Sequence, residues 1–180
     1  MTLKATSDIS GIVMKLNNLS DPLIIEALYE ASQAGVKIRL NIRGICCLRP
    51  GLKGVSENIS VVSIIDRYLE HARVFWFRQG GKPAVFIASA DFMNRNLSKR
   101  VELLTPVEDK EARRRLQHIL ETHFSDTARG RVLRPDGTWH LPQLTAAKAL
   151  RSQERFAREA FKRARQANES PDVLVPHLPK

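Results

Sequence analysis

Cysteine is almost absent: Cys46 and Cys47, side by side, are the only two in 180 residues. A vicinal pair seldom forms a disulfide and cannot complete a four-ligand zinc site, so a disulfide scaffold and a structural zinc module are both excluded. Reduced thiols fit a cytoplasmic compartment. No apolar run approaches transmembrane length, and the polar start Met1–Ser10 does not read as a secretory leader. Glycine-rich phosphate loops and protein-kinase catalytic-loop signatures are missing too, so any nucleotide must be held by another architecture. His118, His123, His140 and His177 show no metal-ligand spacing. The chain has no internal repeat and no low-complexity segment.

What is present is apolar bulk and positive charge. Hydrophobic residues make up 43%, enough for a globular core, and the length suits one domain or one domain with an appendage. The net charge is +10, which favours a polyanionic partner: nucleic acid, nucleotide, polyphosphate or an anionic surface. Residues 1–107 and 108–180 share the excess equally. That argues against a basic DNA-binding tail on a neutral body.

The opening reads as strand, helix, strand. Gly11–Leu16 is an apolar strand. Ser20-Asp21-Pro22 supplies an N-cap and a first-turn proline, Leu23, Ile24, Ala27, Leu28 and Ala31 recur at helical spacing, and Gly35 sits where a helix terminates. Val36–Ile42 alternates like a strand, which completes the unit of a parallel sheet with a crossover helix. Arg43–Asn58 is a long connection rich in Gly, Pro and Ser. A short helix is expected at Ser63–Glu70, and strands at Val74–Arg78 and Ala84–Ala88 around the turn 79–83. Further expectations are a strand at Arg100–Val107, a helix at Asp109–Phe124 and a hairpin over Arg131–Leu141 about Pro135-Asp136-Gly137. A basic amphipathic helix follows at Leu144–Asn168. Alternating strands and helices give an α/β or α+β layered domain.

Three residue types suited to phosphate stand in the connections. Arg43 follows the second strand, at the carboxyl edge where open α/β sheets gather ligands, and Gly44 lets backbone come close. The bland reading of Arg43 is a loop-ordering ion pair with Glu57 or Asp66. His71 precedes a strand and can shuttle a proton or attack phosphorus, though a lone histidine is more often structural. Asn94, Arg95, Asn96, Lys99 and Arg100 make a polar, cationic stretch in which Arg95 and Lys99 read as solvated. Arg113–Arg115 and the tail cations Arg151, Arg155, Arg158, Lys162, Arg163 and Arg165 read as solvated helix faces, with a polyanion track as the functional alternative.

The blocks RGICCLRPG (Arg43–Gly51), LEHAR (Leu69–Arg73), SADFMNRNLSKRVE (Ser89–Glu102) and RPDGTWHLP carry a resemblance. From about Ile12 to Pro142 the sequence resembles the C-terminal phospholipase D-like domain of family-one polyphosphate kinases. The resemblance implies a mixed sheet flanked by helices over residues 1–142; the basic helical tail over 143–180 is read from its pattern and fits the family only loosely. It implies transfer of the terminal phosphate of ATP to polyphosphate, reversibly, through a phosphohistidine and with magnesium. His71 would be the acid/base histidine, and Arg43 and Arg100 would hold nucleotide phosphates. The phosphorylated histidine of the family sits in a preceding domain that the chain does not include, so half of the site is expected here, binding ATP, ADP or polyphosphate without turnover. The other domains would meet it in trans. Family resemblance also implies oligomers and a cytoplasmic, in part membrane-peripheral, location, with no sequence-specific nucleic-acid binding.

Two other readings stay open. One is a polyanion- or nucleotide-binding module without catalysis. The other is a homodimeric phosphodiesterase, since His71-Ala72-Arg73 and Ser89-Ala90-Asp91 resemble the His-x-Lys and Ser-x-Asn motifs of the phospholipase D superfamily. In that comparison Arg73 replaces lysine and Asp91 replaces asparagine, and a carboxylate repels phosphate.

Overall fold

In the computed structural model, residues 11–79, 81–142 and 149–169 are described. The polar start, Gly80 of the expected turn, the expected beginning of the tail helix at Leu144, and His177 lie outside them.

The opening unit forms as its residues dictate. Strand β1 (Ile12–Leu16) and β2 (Ile38–Ile42) pair in parallel, with Ile12 opposite Ile38, across helix α1 (Pro22–Gln33). Asp21 caps α1, its carboxylate accepting the Ile24 N–H at 3.2 Å, and Pro22 fills the first turn, where a missing N–H costs nothing. Gly35, at φ 85°, takes the left-handed conformation that ends the helix. Strand β3 (Ile59–Ile64) continues the parallel set beside β2.

The remaining strands are antiparallel: β4 (Val74–Gln79) on β1, β5 (Lys82–Ala88) on β4, β6 (Leu104–Pro106) on β5, β7 (Gly130–Leu133) on β3, and β8 (Trp139–His140) on β7. The result is one mixed sheet in the order β6-β5-β4-β1-β2-β3-β7-β8. Helix α1 covers one face, packing Ile24, Ile25 and Leu28 on Met14, Leu16, Leu40 and Ile42. Helix α3 (Lys110–Phe124), capped by Asp109, covers the other with Leu116, Leu120 and Phe124 against Val13, Val74, Trp76 and Val85. Each fully buried side chain of this size contributes about 1.5–3 kcal/mol.

Two expectations fail. Ser63–Glu70 is not a helix: Ser63 and Ile64 end β3, and residues 65–73 have no regular secondary structure. The β-branched run Ile59–Ile64 prefers the pleated sheet, while Ile65, Tyr68 and Leu69, which imitate a helical stripe, are exposed. The strand expected at Arg100–Val107 shrinks to β6, and the polar stretch before it coils into helix α2 (Asn94–Lys99) with Asn96 turned inward. Helix α4 (Ser152–Glu169) is basic and amphipathic as expected, but it starts later than the expected Leu144–Asn168, since residues 149–151 are not helical. It lies against α3, where Phe156 meets the edges of His118 and His123, and His118 pairs with Glu159 at 2.9 Å. Among the described residues no helix is long and apolar enough to cross a membrane.

Candidate phosphate site at the carboxyl edge of the sheet

Where β1 and β2 end, the chain crowds polar groups into a small volume. Gly44 makes this approach: its N–H donates to the Asn17 carbonyl at 2.7 Å, and a Cβ there would lie 2.7 Å from Asn18 Oδ1. Asn18 Oδ1 in turn accepts the Ile45 N–H. Arg43 is pinned through its backbone, its N–H on the Leu16 carbonyl and its own carbonyl accepting the Ser63 hydroxyl. Its guanidinium Nε is buried with no partner among the described residues, so neither Glu57 nor Asp66 ties it down.

Asp91 is the most heavily bonded group of the site. Its carboxylate accepts the Asn17 N–H at 2.7 Å, the side-chain amides of Asn17 and Asn18, and a two-pronged grip from Arg73 Nε and Nη2, both at 3.2 Å. Burial pushes this carboxyl up, but the Arg73 and Asn17 hydrogen bonds outweigh it and hold it below the usual range. The third guanidinium nitrogen of Arg73 donates to the His71 carbonyl at 3.1 Å. All three nitrogens of Arg73 are therefore spent inside the protein. The two positions that resemble the superfamily motif, Arg73 and Asp91, are thus paired with each other.

Lys15, which the sequence reading overlooked, lies beneath this layer with its side chain only 2% exposed. Its ammonium pairs with Glu70 at 3.3 Å and donates to the Ala72 carbonyl at 3.5 Å, straddling His71. Burial lowers its pKa against the pull of Glu70, and nearby Arg43 and Arg73 lower it further. The only clue in the sequence is a lysine inside an otherwise apolar strand. On the far side Glu102 accepts the Ser89 hydroxyl and, at 2.6 Å, the Asn96 amide. Those two bonds hold its carboxyl low, with Arg100 and Arg73 assisting from nearby.

The ends of β1 and β2 and the starts of β4 and β6 lie on one edge of the sheet, which carries Arg43, the His71 segment and Arg100. The side chains of His71 and Arg100 are exposed and, among the described residues, make no hydrogen bond. Of the other histidines, His140 bonds Thr138 away from this edge, while the buried His123 lies 3.4 Å from Glu70, the partner of Lys15. Tail cations Arg155 and Arg158 pair along their own helix with Glu159 and Glu154. Cys46 is half-buried, its thiol pushed up to about 11 by burial, and Cys47 is exposed. Among the described residues no group of three His, Cys, Asp or Glu side chains is placed to hold a metal ion.

Residues 3–153 match the family model of the polyphosphate kinase C-terminal domain 2. The chain belongs to that family. Its polyphosphate kinase relatives include those of Rhodopirellula baltica, 58% identical over 71% of this chain, and Lactiplantibacillus plantarum, 52% identical over 83%. The chain spans only 15% and 21% of those two proteins. Among solved structures, the polyphosphate kinase of Porphyromonas gingivalis superposes with a TM-score of 0.81 at 39% identity, covering 86% of this chain and 24% of that one. Nuc of Salmonella typhimurium, a phospholipase D family member, superposes at 0.51 and 20% identity over 71% of this chain and 84% of that one. The fold of this polyphosphate kinase domain is phospholipase D-like.

Proposed function

We propose that the chain supplies one half of a polyphosphate kinase active site, with Arg43 and Arg100 holding phosphates of ATP or polyphosphate and His71 acting as acid or base. The observation that supports this reading is the division of labour among the arginines. Arg73 is consumed by Asp91, whereas Arg43 keeps a buried, unpartnered Nε and Arg100 an uncommitted guanidinium at the same edge. Guanidinium forks match phosphate oxygens two at a time, and phosphoryl transfer needs mostly positioning and charge neutralisation. An exposed imidazole beside them can hand a proton to a leaving or entering phosphate oxygen.

Magnesium fits this chain less well. The carboxylates at the edge, Asp91, Glu102 and Glu70, are all committed to internal donors, so the ion would arrive on the nucleotide rather than on a protein cage. The rim of the site is apolar as well as cationic: Leu69 is 71% and Val101 100% exposed, flanking His71 and Arg100. Exposed apolar groups around a charged site suit coverage by protein, and the remaining kinase domains, carrying the phosphorylated histidine, would provide it. Alone, the chain binds without turnover.

The test is a titration of the chain with ATP and with long-chain polyphosphate, with and without magnesium, beside an Arg43→Ala/Arg100→Ala variant. Loss of two phosphate contacts should weaken binding about tenfold or more, ~1.4 kcal/mol per factor of ten. Equal binding by the variant would reduce the affinity to net charge and sink the site. ATP-dependent polyphosphate synthesis by the chain alone, abolished in His71→Ala, would overturn the claim of a half-site.

A further inference from the structure

The segment that carries His71 has no backbone support of its own. Residues 65–73 form no helix or strand, and the backbone groups of residues 65–72 appear in no backbone–backbone hydrogen bond among the described residues. The segment is held by side chains instead: Arg151 and Gln153 at the start of α4, Lys15 from β1, His123 from α3, and Arg129, 3.8 Å from Asp66. Arg151 grips Asp66 with two nitrogens, at 2.6 and 2.8 Å. Gln153, 4% exposed, closes a reciprocal pair with the backbone of Tyr68, accepting its N–H and donating to its carbonyl, both at 2.8 Å. The same amide donates to Glu70 at 2.8 Å, and Glu70 then meets Lys15 at 3.3 Å and His123 at 3.4 Å.

The turn that makes these contacts is itself latched. Asp126 accepts the Ser152 N–H at 2.7 Å and its hydroxyl at 2.6 Å, while its other oxygen accepts the N–H groups of Ala128, Arg129 and Gly130. Thr127 and Ala128 donate to the Leu150 carbonyl. This is a built seat, and the match to the family model ends at 153, immediately after its last residue.

We infer that the start of α4 braces the His71 segment, with Gln153 in its first turn as the positioning residue and Arg151, just before the helix, as its anchor. This rests on the reading of His71 as a phosphate-site residue. A reciprocal amide pair on Tyr68 fixes the height of the segment, and the Gln153–Glu70–Lys15 chain fixes the residue next to His71. Lys15 and Arg73 hold the carbonyls of Ala72 and His71. Remove Gln153 and Tyr68 loses both backbone partners, so His71 stands in many places rather than one. The cost falls on orientation, where small displacements weaken a site strongly.

The experiment uses the chain with Gln153→Ala, His71→Ala and the double variant. Amide hydrogen exchange is followed over residues 66–73, and ATP affinity is measured for each. Gln153→Ala should speed exchange of the Tyr68 amide by about tenfold or more, ~1.4 kcal/mol of local protection, with the exchange of β1 and β2 unchanged. It should also weaken ATP binding severalfold, and that loss should vanish in the His71→Ala background. Unchanged exchange at Tyr68 would overturn the brace. An equal loss of affinity with and without His71 would show general damage rather than positioning, and would overturn it too. Should Gln153→Ala fail to fold, Arg151→Lys, which keeps the charge but not the fork on Asp66, is read by the same criteria. If the wild-type chain binds no ATP, the proposed function fails, while the exchange arm still decides the brace.

Discussion

The two faces of β1 are made from alternate residues of one five-residue strand, yet they follow different rules. Met14 and Leu16 point into an apolar layer closed by α1, where nothing but size and shape matters. Val13 and Lys15 point the other way, and after Val13 that face turns polar: Lys15, then Glu70, His123 and, past the strand, Asn17 and Asp91. One face is insensitive to chemistry and sensitive to volume. The other binds charges together, and every one of its groups depends on a partner far away in sequence. The fold rests on the first face and the candidate site on the second.

The sharpest way to break this comparison is at Asp91. Replacing it by alanine leaves the half-buried Arg73 without its acceptor and the Asn17 N–H unpaired. Removing one partner of a buried pair costs about 3–5 kcal/mol, which urea denaturation of Asp91→Ala would measure. A loss below about 1 kcal/mol would mean that the pair behaves as a surface contact and that the polar face is not a tied network.

How much of this could be read from sequence follows the same division. Helix α1 was legible because its signals are local: Asp21 caps three residues on, Pro22 opens, Gly35 closes. Arg43 and Gly44 were legible because an alternating strand delivers them to the sheet edge. The His71 segment was not, because Ile64, Ile65, Tyr68 and Leu69 have helical spacing while the groups that order the segment sit 85 positions away, in Arg151 and Gln153. Lys15 was missed for a similar reason: a lysine in a buried strand is explained only by Glu70 and Ala72, which approach through tertiary folding. Grouping the tail arginines as one solvated face hides Arg151, which sits just before α4 and grips Asp66.

A second effect, somewhat smaller, separates the faces by pH. The buried His123 takes up its proton only at about 4, against 6.5 for a free imidazole; burial is the main cause, Glu70 opposes it and Lys15 reinforces it. Between those values the unfolded chain binds more protons than the folded one, so stability from this group is full above pH 6.5 and is lost as the pH falls towards 4, by about 3 kcal/mol at most. Urea midpoints measured from pH 7 to 4 should fall along that slope, and His123→Gln should flatten it. A slope unchanged in the variant would assign the acid sensitivity elsewhere.

The finest test compares two positions that differ by two residues. Ile42 ends β2 in the apolar layer, and Gly44 begins the turn over Asn17 and Asn18. Ile42→Val removes one methyl group and should cost about 0.5–1.5 kcal/mol, with ATP affinity unchanged. Gly44→Ala sets a Cβ 2.7 Å from Asn18 Oδ1 and 3.1 Å from the Asn17 carbonyl, so the turn must shift, at about 1–3 kcal/mol. That shift moves Arg43 and disturbs two of the donors on Asp91, so ATP affinity should fall as well. The two variants are therefore expected to lie close in stability and apart in binding. If Ile42→Val weakened ATP binding as much as Gly44→Ala, the two faces would be mechanically one, and the separation of fold from site would not hold.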